Sequence, residues 1–155
     1  MIKPQHIILT LMSAMFLTLF VSCTLETSDN GDFDGFWHLE QVDTLATGKS
    51  TDLSNRRVFW GVQYKLINVR DVDVDGALGY YLRFTQTAGD ITTYSPYKNG
   101  WHEDSANGGD TPISDAKLLA PYGINNIEEH FVKERLTGHT MILVSPTLRL
   151  HFRKQ

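Results

Sequence analysis

Cysteine is almost absent from this 155-residue chain, and its single occurrence limits what the protein can be. Cys23 has no second cysteine to pair with, so an internal disulfide framework is excluded. Lysine and arginine are scattered apart from three near the C-terminus, and the formal net charge is −4. A basic face that binds nucleic acid or anionic lipid is therefore not expected.

The residue patterns of common catalytic and metal sites are also lacking. The histidines are not spaced as zinc ligands are, although His102, Glu103 and Asp104 lie together in a polar segment. No Gly-x-Ser-x-Gly motif occurs, and Glu128 and Glu129 would point to opposite faces of an extended chain. The sequence therefore predicts no enzyme, no metal site and no cofactor.

The N-terminus holds the longest uncharged run of the chain. Residues 7–22 carry no charge and follow a short segment with one lysine, which is the layout of a signal peptide. The run is short for a membrane-spanning helix, which needs about 20 apolar residues. It ends in LFVSC, residues 19–23, which resembles the bacterial lipobox, in which the cysteine becomes lipid-modified and N-terminal.

The lipobox resemblance implies three segments: a lipoprotein signal peptide at 1–22, a flexible tether at 23–34 with the lipid on Cys23, and a folded domain at 35–155. It places the protein in the cell envelope, anchored to the outer membrane and facing the periplasm or the cell exterior. A signal peptide with an incidental cysteine and an uncleaved membrane anchor are the two alternative interpretations.

The folded part alternates apolar and polar residues with a period of two, which is typical of strands that bury one face. The clearest runs cover 56–69 and 79–86, and shorter ones begin at 35, 91 and 131. One short helix is expected over 114–120, capped by Ser114 or Asp115 and stopped by Pro121. The inward residues expected from the two clearest runs are Val58, Trp60, Val62, Tyr64, Leu66, Tyr80, Leu82 and Phe84.

The stretch RDVDVDGALGYYL, residues 70–82, begins like an EF-hand calcium loop. The twelfth loop position, which requires a bidentate Glu, falls on Leu82, so a calcium site is not predicted. Asp75-Gly76 is instead a hairpin signal. The stretch is therefore predicted to be the tip of a hairpin, with Asp71, Asp73 and Asp75 facing water.

Residues 95–112 are predicted to be a long loop, because they contain few aliphatic residues and several Gly and Asn. Long loops in compact domains tend to be functional or mobile. Trp101 within the loop is expected to fold back into the core, and the alternative is that it contacts a ligand.

Three short motifs carry a resemblance to a known family: Gly35-Phe36-Trp37, PYGI at 121–124 and LRLHFRK at 148–154. With the lipobox, they resemble the lipocalin-like domains of small Bacteroidetes lipoproteins. The resemblance implies an all-β fold, an antiparallel up-and-down meander closing into a lipocalin-like barrel. It also implies that Gly35 and Trp37 help to close one barrel end, with Trp37 beneath Arg149 or Arg153 of the last strand.

Two functions remain open at this point. The first is a membrane-anchored binding protein that accepts a small, partly apolar molecule in the barrel mouth, since ligand sites are concave and mostly apolar. The second is a structural or interaction lipoprotein with a filled barrel, which contacts another envelope protein through residues 95–112 or a sheet edge. The candidate ligand contacts are Trp60, Tyr64, Tyr80, Phe84 and Trp101.

Overall fold

A computed structural model describes residues 28–74, 78–98 and 110–155. The proposed lipidation site Cys23, Trp101 and the Asp75-Gly76 turn lie outside these ranges. The described residues form ten strands. They are β1 (Gly35–Thr44), β2 (Lys49–Asp52), β3 (Val58–Gln63), β4 (Leu66–Asp71), β5 (Tyr80–Gln86), β6 (Asp90–Lys98), β7 (Thr111–Pro112), β8 (Glu129–Leu136), β9 (Thr140–Val144) and β10 (Leu148–Lys154).

Eight of these strands form a closed antiparallel barrel, in the order β1-β3-β4-β5-β6-β8-β9-β10. The barrel closes where β10 pairs with β1, from Trp37–Lys154 to Thr44–Leu148. The short strands β2 and β7 extend the sheet beside β1 and β6. The predicted all-β, up-and-down, lipocalin-like barrel is therefore confirmed.

The inner face of the barrel carries the apolar residues that the alternation predicted. In β3, Val58, Trp60 and Val62 are buried, and in β5 Leu82 and Phe84 are buried. Each strand contributes alternate residues to one core, because successive side chains of a strand point to opposite faces. Buried side chains of the 3₁₀ turns join this core, which includes Phe33, Trp37, Leu39, Trp60, Phe84, Leu119, Ile124, Phe131, Leu150 and Phe152.

The predicted single strand over 56–69 is wrong, because the chain turns back at Tyr64 and Lys65. Gln63 pairs directly with Leu66 across this turn. Tyr64 has φ 55°, a left-handed value found in two-residue hairpin turns, and its side chain is 48% exposed. Tyr64 therefore does not face the core, although the alternation continues through it in the sequence.

The single helix predicted over 114–120 is replaced by two 3₁₀ turns, at Ala116–Leu118 and Ala120–Tyr122. The Asp115 side chain accepts a hydrogen bond from the Lys117 N–H at 3.0 Å, so the predicted cap is present. Pro121 does not stop the helical segment but lies inside the second turn. A further 3₁₀ turn, Gly31–Phe33, precedes β1.

The acidic stretch forms the connection between β4 and β5, which pair as an antiparallel hairpin. The prediction that all its aspartates face water is wrong for Asp71, which is 2% exposed. Asp71 pairs with Arg56 and also accepts a hydrogen bond from the Asp73 N–H at 3.0 Å. Asp73 pairs with Arg57 at 2.7 Å, so both carboxylates hold the preceding loop against the hairpin.

Strand β6 continues to Lys98, into the segment that was predicted to be a loop. Ser95 has φ 47°, and the pairing of β5 with β6 shifts register between Tyr81 and Arg83. A bulge of this kind bends a strand and lets pairing resume beyond it.

In the described ranges, no helix has the length and apolar character needed to cross a membrane.

Candidate functional site

Three of the aromatic residues that were predicted to contact a ligand, Trp60, Tyr80 and Phe84, lie in the packed barrel interior. Trp60 packs edge to face against Phe131 and Phe152, with ring centroids 5.8 and 5.1 Å apart. Its indole Nε1 donates to the Tyr122 carbonyl at 3.0 Å. Phe84 is buried against Phe33, with centroids 5.2 Å apart. Trp60 and Phe84 are thus core residues in this structure.

The barrel end where β4 stops and β5 begins is covered by residues 119–124. Leu119 and Ile124 are fully buried, and Tyr122 meets Tyr80 with ring centroids 6.0 Å apart. Burial raises the pKa of the Tyr122 phenol. Gly123 has φ 81°, and a Cβ there would lie 2.6 Å from the Leu150 side chain, so only glycine fits. The PYGI segment of the family resemblance therefore closes this end.

At the opposite barrel end, Trp37 is fully buried, and the cation that lies over its ring is a lysine. Trp37 Nε1 donates to the Phe33 carbonyl at 2.8 Å, and Lys154 Nζ lies 4.9 Å from the Trp37 ring centroid. Lys154 Nζ also donates to the Asp32 carbonyl at 3.0 Å. Glycine is favoured at position 35 beside them, because the backbone there has φ 123°, which residues with a side chain rarely adopt.

Arg149 and Arg153, the predicted partners of Trp37, point outward instead. Arg149 pairs with Glu134 at 2.9 Å and Arg153 with Glu40 at 2.6 Å. The reason is their position in β10, where both alternate with the buried Leu150 and Phe152. We call this outer surface, where β10 meets its neighbours, the seam face; its charged residues are Glu40, Asp43, Glu134, Arg149, His151 and Arg153.

The seam face also contains a hydrogen bond between His151 and Asp43, whose Nε2 and Oδ2 atoms are 2.7 Å apart. The Ser50 hydroxyl donates to the other Asp43 oxygen at 2.6 Å. These hydrogen bonds, first that of Ser50 and then that of His151, hold the pKa of Asp43 below its ordinary value. Ser50 contacts Asp43 rather than His151, so the three residues do not form a serine nucleophile with its base.

A concave surface lies outside the barrel, on the opposite face of the strands that hold Trp60. This groove has a volume of about 640 Å³. Its size falls in the range of about 300–1,000 Å³ that is usual for small-molecule sites. We call it the outer groove; it is lined by Ser28, Asp34, Gly35, Phe36, Gly61, Val62, Gln63, Tyr64, Leu66, Asn68 and Tyr81.

The centre of the outer groove is one row of outward residues across four strands. Phe36 pairs with Gly61, Gly61 with Asn68, and Asn68 with Tyr81. The Phe36 ring is stacked on Phe59 at 4.5 Å, so its position is fixed. Gly61 and Asn68 form the floor between the two aromatic walls.

Gly61 is the residue of this row whose identity is not explained by the fold. Its backbone does not adopt the positive φ that favours glycine, and the strand pairs regularly on both sides. A Cβ at Gly61 would make ordinary contacts, 3.6 Å from Phe36 Cδ2 and 3.9 Å from the Asn68 carbonyl. Glycine costs about 0.5–1 kcal/mol in a strand interior and often marks the close approach of a ligand. Its lack of a side chain is what keeps the floor open.

A second concave surface of about 620 Å³ adjoins the outer groove and shares Leu66 with it. Arg83 enters it from β5, where it pairs directly with Leu66. Tyr97 lies between the two surfaces and is stacked on Tyr81, with ring centroids 5.6 Å apart. Burial is the main cause that raises the pKa of the Tyr97 phenol.

The structure thus separates the predicted ligand contacts. Trp60, Tyr80 and Phe84 belong to the barrel interior, whereas Tyr64 lies on the turn beside the outer groove. Phe36, Gly61 and Asn68 were not predicted as candidate contacts. The sequence signal that could have found this site was a glycine inside a strong strand, with Phe59 at the preceding outward position.

Comparison with known proteins identifies the fold family. The family model described as a lipocalin-like domain matches residues 17–155. Two solved structures are similar to this chain. A lipocalin-like protein from Bacteroides uniformis is 19% identical, with a TM-score of 0.58, over 81% of this chain and 100% of that one.

An uncharacterized protein from Bacteroides eggerthii is 20% identical, with a TM-score of 0.54, over 79% of this chain and 98% of that one. A search among curated proteins finds no match. At these identities the two structures support the fold, and the family model covers most of the chain. This chain belongs to the family of lipocalin-like domains.

Proposed function

We propose that this protein is a non-catalytic lipoprotein of the cell envelope whose lipocalin-like domain binds a small, partly apolar molecule in the outer groove. The observation that carries the proposal is the open floor at Gly61. Neither the backbone conformation nor the neighbouring atoms require glycine at this position, and the absent side chain leaves a groove of about 640 Å³. A strand glycine without a bulge or a bend is often found where a ligand or another backbone approaches the strand closely.

The filled interior argues that the ligand binds outside the barrel. A molecule inside would have to displace Trp60 from its contacts with Phe131 and Phe152, and to remove residues 119–124 from the barrel end. Displacing packed side chains removes many close contacts at once, which is costly in a dense core. The outer groove is open without any such rearrangement.

The composition of the outer groove suits a partly apolar ligand. Phe36, Leu66 and Tyr81 supply apolar surface, and Asn68 and Gln63 supply polar groups at its floor and edge. Asn68 Nδ2 donates to the carbonyls of Leu78 and Tyr80 at 3.3 Å each, which holds its side chain in place. Ligand sites in proteins combine such apolar walls with a few fixed polar groups.

The decisive experiment fills the floor of the groove. We would produce the wild-type protein, Gly61→Leu and Thr85→Leu in the native host, purify them and identify co-purified small molecules by native mass spectrometry. Thr85 is an exposed outward residue of β5 outside both concave surfaces, so Thr85→Leu is the matched control. We expect a bound molecule in wild type and Thr85→Leu and its loss in Gly61→Leu.

Two results would contradict binding in the groove. One is the absence of any co-purifying molecule from the wild-type protein. The other is an equal amount of it in Gly61→Leu. Gly61→Leu should leave the free energy of unfolding unchanged or raise it by up to about 1 kcal/mol, because it removes a glycine from a strand. Loss of binding therefore cannot be attributed to loss of the fold.

Membrane attachment is part of the same proposal and rests on Cys23 and the residues before it. We expect Cys23→Ser to move the protein from the membrane fraction to the soluble fraction and to abolish incorporation of a labelled fatty acid. A protein that stays in the membrane fraction, unlabelled in both forms, would instead favour an uncleaved anchor.

The filled interior also supports a second candidate function, that of a structural or interaction protein of the envelope. The same purification distinguishes the two. Stoichiometric recovery of a second envelope protein, with no small molecule on the wild type, would favour this role. In that case Gly61→Leu would reduce recovery of the protein partner if the partner uses the outer groove.

A further inference from the structure

We infer that one end of the barrel rests on the membrane surface, so that the outer groove opens at the level of the lipid headgroups. We call it the tether end; it is the end where β1 begins and Trp37 is buried. The inference rests on the proposed function, because it takes the lipid on Cys23 as the anchor. It follows from the place where the chain enters the barrel, from the hydrogen bonds that fix this place and from the side chains exposed around it.

The chain enters the barrel at the rim of the outer groove. Ser28 and Asp34, on either side of the 3₁₀ turn that precedes β1, both line the groove. Cys23 precedes Ser28 by five residues, and five residues span at most about 18 Å when fully extended. With its acyl chains in the bilayer, Cys23 lies at the headgroups, so the rim of the groove stays within that distance of the membrane surface.

Asn30 holds the entering chain against the tether end. The residue is 4% exposed. Its Nδ2 donates to Asp34 Oδ1 at 2.7 Å and to the Tyr64 carbonyl at 2.5 Å, and Gln86 Nε2 donates to its Oδ1 at 3.3 Å. Buried polar groups are kept hydrogen-bonded, because leaving one without a partner is costly. Asn30 therefore keeps residues 28–34 beside the groove.

The side chains exposed at the tether end suit a lipid interface. Tyr64 and Lys65 form the turn between β3 and β4, and Tyr64 is 48% exposed. Lys65 is exposed as well. In membrane proteins, tyrosine rings gather at the headgroup level, and lysine side chains extend their charge from there into water. Tyr64 also lines the outer groove, so the turn in contact with lipid is part of the rim of the groove.

Exposed apolar side chains also occur at the opposite barrel end, but they lie farther from the anchor. Leu45 is 41% exposed and follows the ten-residue strand β1, whose two ends are about 30 Å apart along the strand. Val72 and Val74 are exposed after β4 at the same end. Exposure alone therefore does not select the membrane-facing end. We assign the contact to the tether end because Cys23 is joined to it.

The test compares lipid labelling at the two barrel ends. In the lipidated full chain, Tyr64 or Leu45 is replaced, one at a time, by the photo-crosslinking residue p-benzoylphenylalanine. Leu45 is the matched control, because it is exposed to a similar extent at the opposite end. Each protein is reconstituted into vesicles of phosphatidylethanolamine and phosphatidylglycerol with a radiolabelled phosphatidylethanolamine tracer, and is then irradiated. The labelled lipid per protein molecule is measured after vesicle flotation and gel electrophoresis.

We expect several times more label at position 64 than at position 45. Asn30→Ala should lower this ratio towards one, because the entering chain is then no longer held beside the turn between β3 and β4. Equal labelling at the two positions, or more at position 45, would overturn the inference. So would the absence of label at position 64 in protein that floats with the vesicles. An unchanged ratio in Asn30→Ala would overturn the role of Asn30 in the orientation.

The proposed function fails differently. If Cys23→Ser floats with the vesicles as completely as the wild-type protein, the lipid on Cys23 is not the anchor. If Gly61→Leu retains the co-purifying molecule, the groove is not its binding site. The labelling ratio does not depend on that second result, because Gly61→Leu fills the groove and leaves the entering chain as it is. An unchanged ratio in Gly61→Leu is therefore expected, and a ratio lowered to one would overturn a membrane contact that is set by the tether.

Discussion

The seam face and the outer groove occupy the outside of the same barrel, yet their side chains are organised in opposite ways. On the seam face, Arg149, His151 and Arg153 each contact a carboxylate on another strand. At the groove, aromatic residues flank a bare glycine. The interior behind both surfaces is filled.

This contrast indicates that the seam face stabilises the barrel, whereas the outer groove is organised for binding. Near the seam where β10 and β1 close the barrel, ion pairs with carboxylates of other strands compensate the charges of Arg149 and Arg153. The groove retains a strand glycine, which costs stability. Features that do not help a protein to fold are expected where it binds something else.

The largest expected effect contrasts the interior with the groove. Trp60→Ala should lower the free energy of unfolding by about 3–5 kcal/mol, because it leaves a large cavity in a dense core. Phe36→Ala, at the half-buried outer wall, should cost only about 1–1.5 kcal/mol, roughly half of a fully buried aromatic side chain. Urea unfolding measures both. Equal losses would mean that Phe36 is as much a core residue as Trp60.

The next largest effect is expected from a substitution in residues 119–124, which cover one barrel end. Gly123→Ala should lower the free energy of unfolding by about 1–3 kcal/mol, since the added methyl group meets Leu150 and the backbone has a left-handed φ. Gly89→Ala is the control, because a Cβ there meets no atom within 4 Å. A thermal melt of Gly123→Ala that matches wild type would show that residues 119–124 are not held in the barrel end.

A smaller effect is expected on the seam face. The pKa of Asp43 lies below its ordinary value of 3.8, because its charged form is hydrogen-bonded by Ser50 and His151. The stabilisation is therefore present above pH 4 and is lost as the pH falls through the depressed pKa. Asp43→Asn should cost a few tenths to about 1 kcal/mol at pH 7. The difference from wild type, measured by urea unfolding, should shrink in acid; a constant difference would contradict the assignment.

Much of the fold was predictable because it depends on patterns of period two. The alternation in 79–86 places Leu82 and Phe84 inward, as the structure does. The same rule failed at Tyr64, since a two-residue turn preserves the alternation in the sequence while reversing the chain. No local pattern indicated that Asp71 would be buried, because its partner Arg56 lies in a loop before a different strand.

The site was less predictable than the fold. Aromatic residues were expected to line a cavity. Whether space remains between them depends on how far the 3₁₀ turns enter the barrel end, which the sequence does not indicate. Lys154 rather than an arginine covers Trp37, which reflects the register of β10 against β1. Gly61 can be recognised as the floor of a groove only when the strand pairing that places Phe36 and Asn68 beside it is known.

The most direct test of binding outside the barrel is methyl NMR of the full chain during titration with the small molecule that co-purifies with the wild-type protein. Leu66 lines the outer groove, whereas Leu82 and Leu150 lie in the filled interior. We predict that the methyl signals of Leu66 shift with ligand concentration while those of Leu82 and Leu150 remain in place. Shifts at Leu82 and Leu150 without a shift at Leu66 would show that the barrel opens, and would contradict the account.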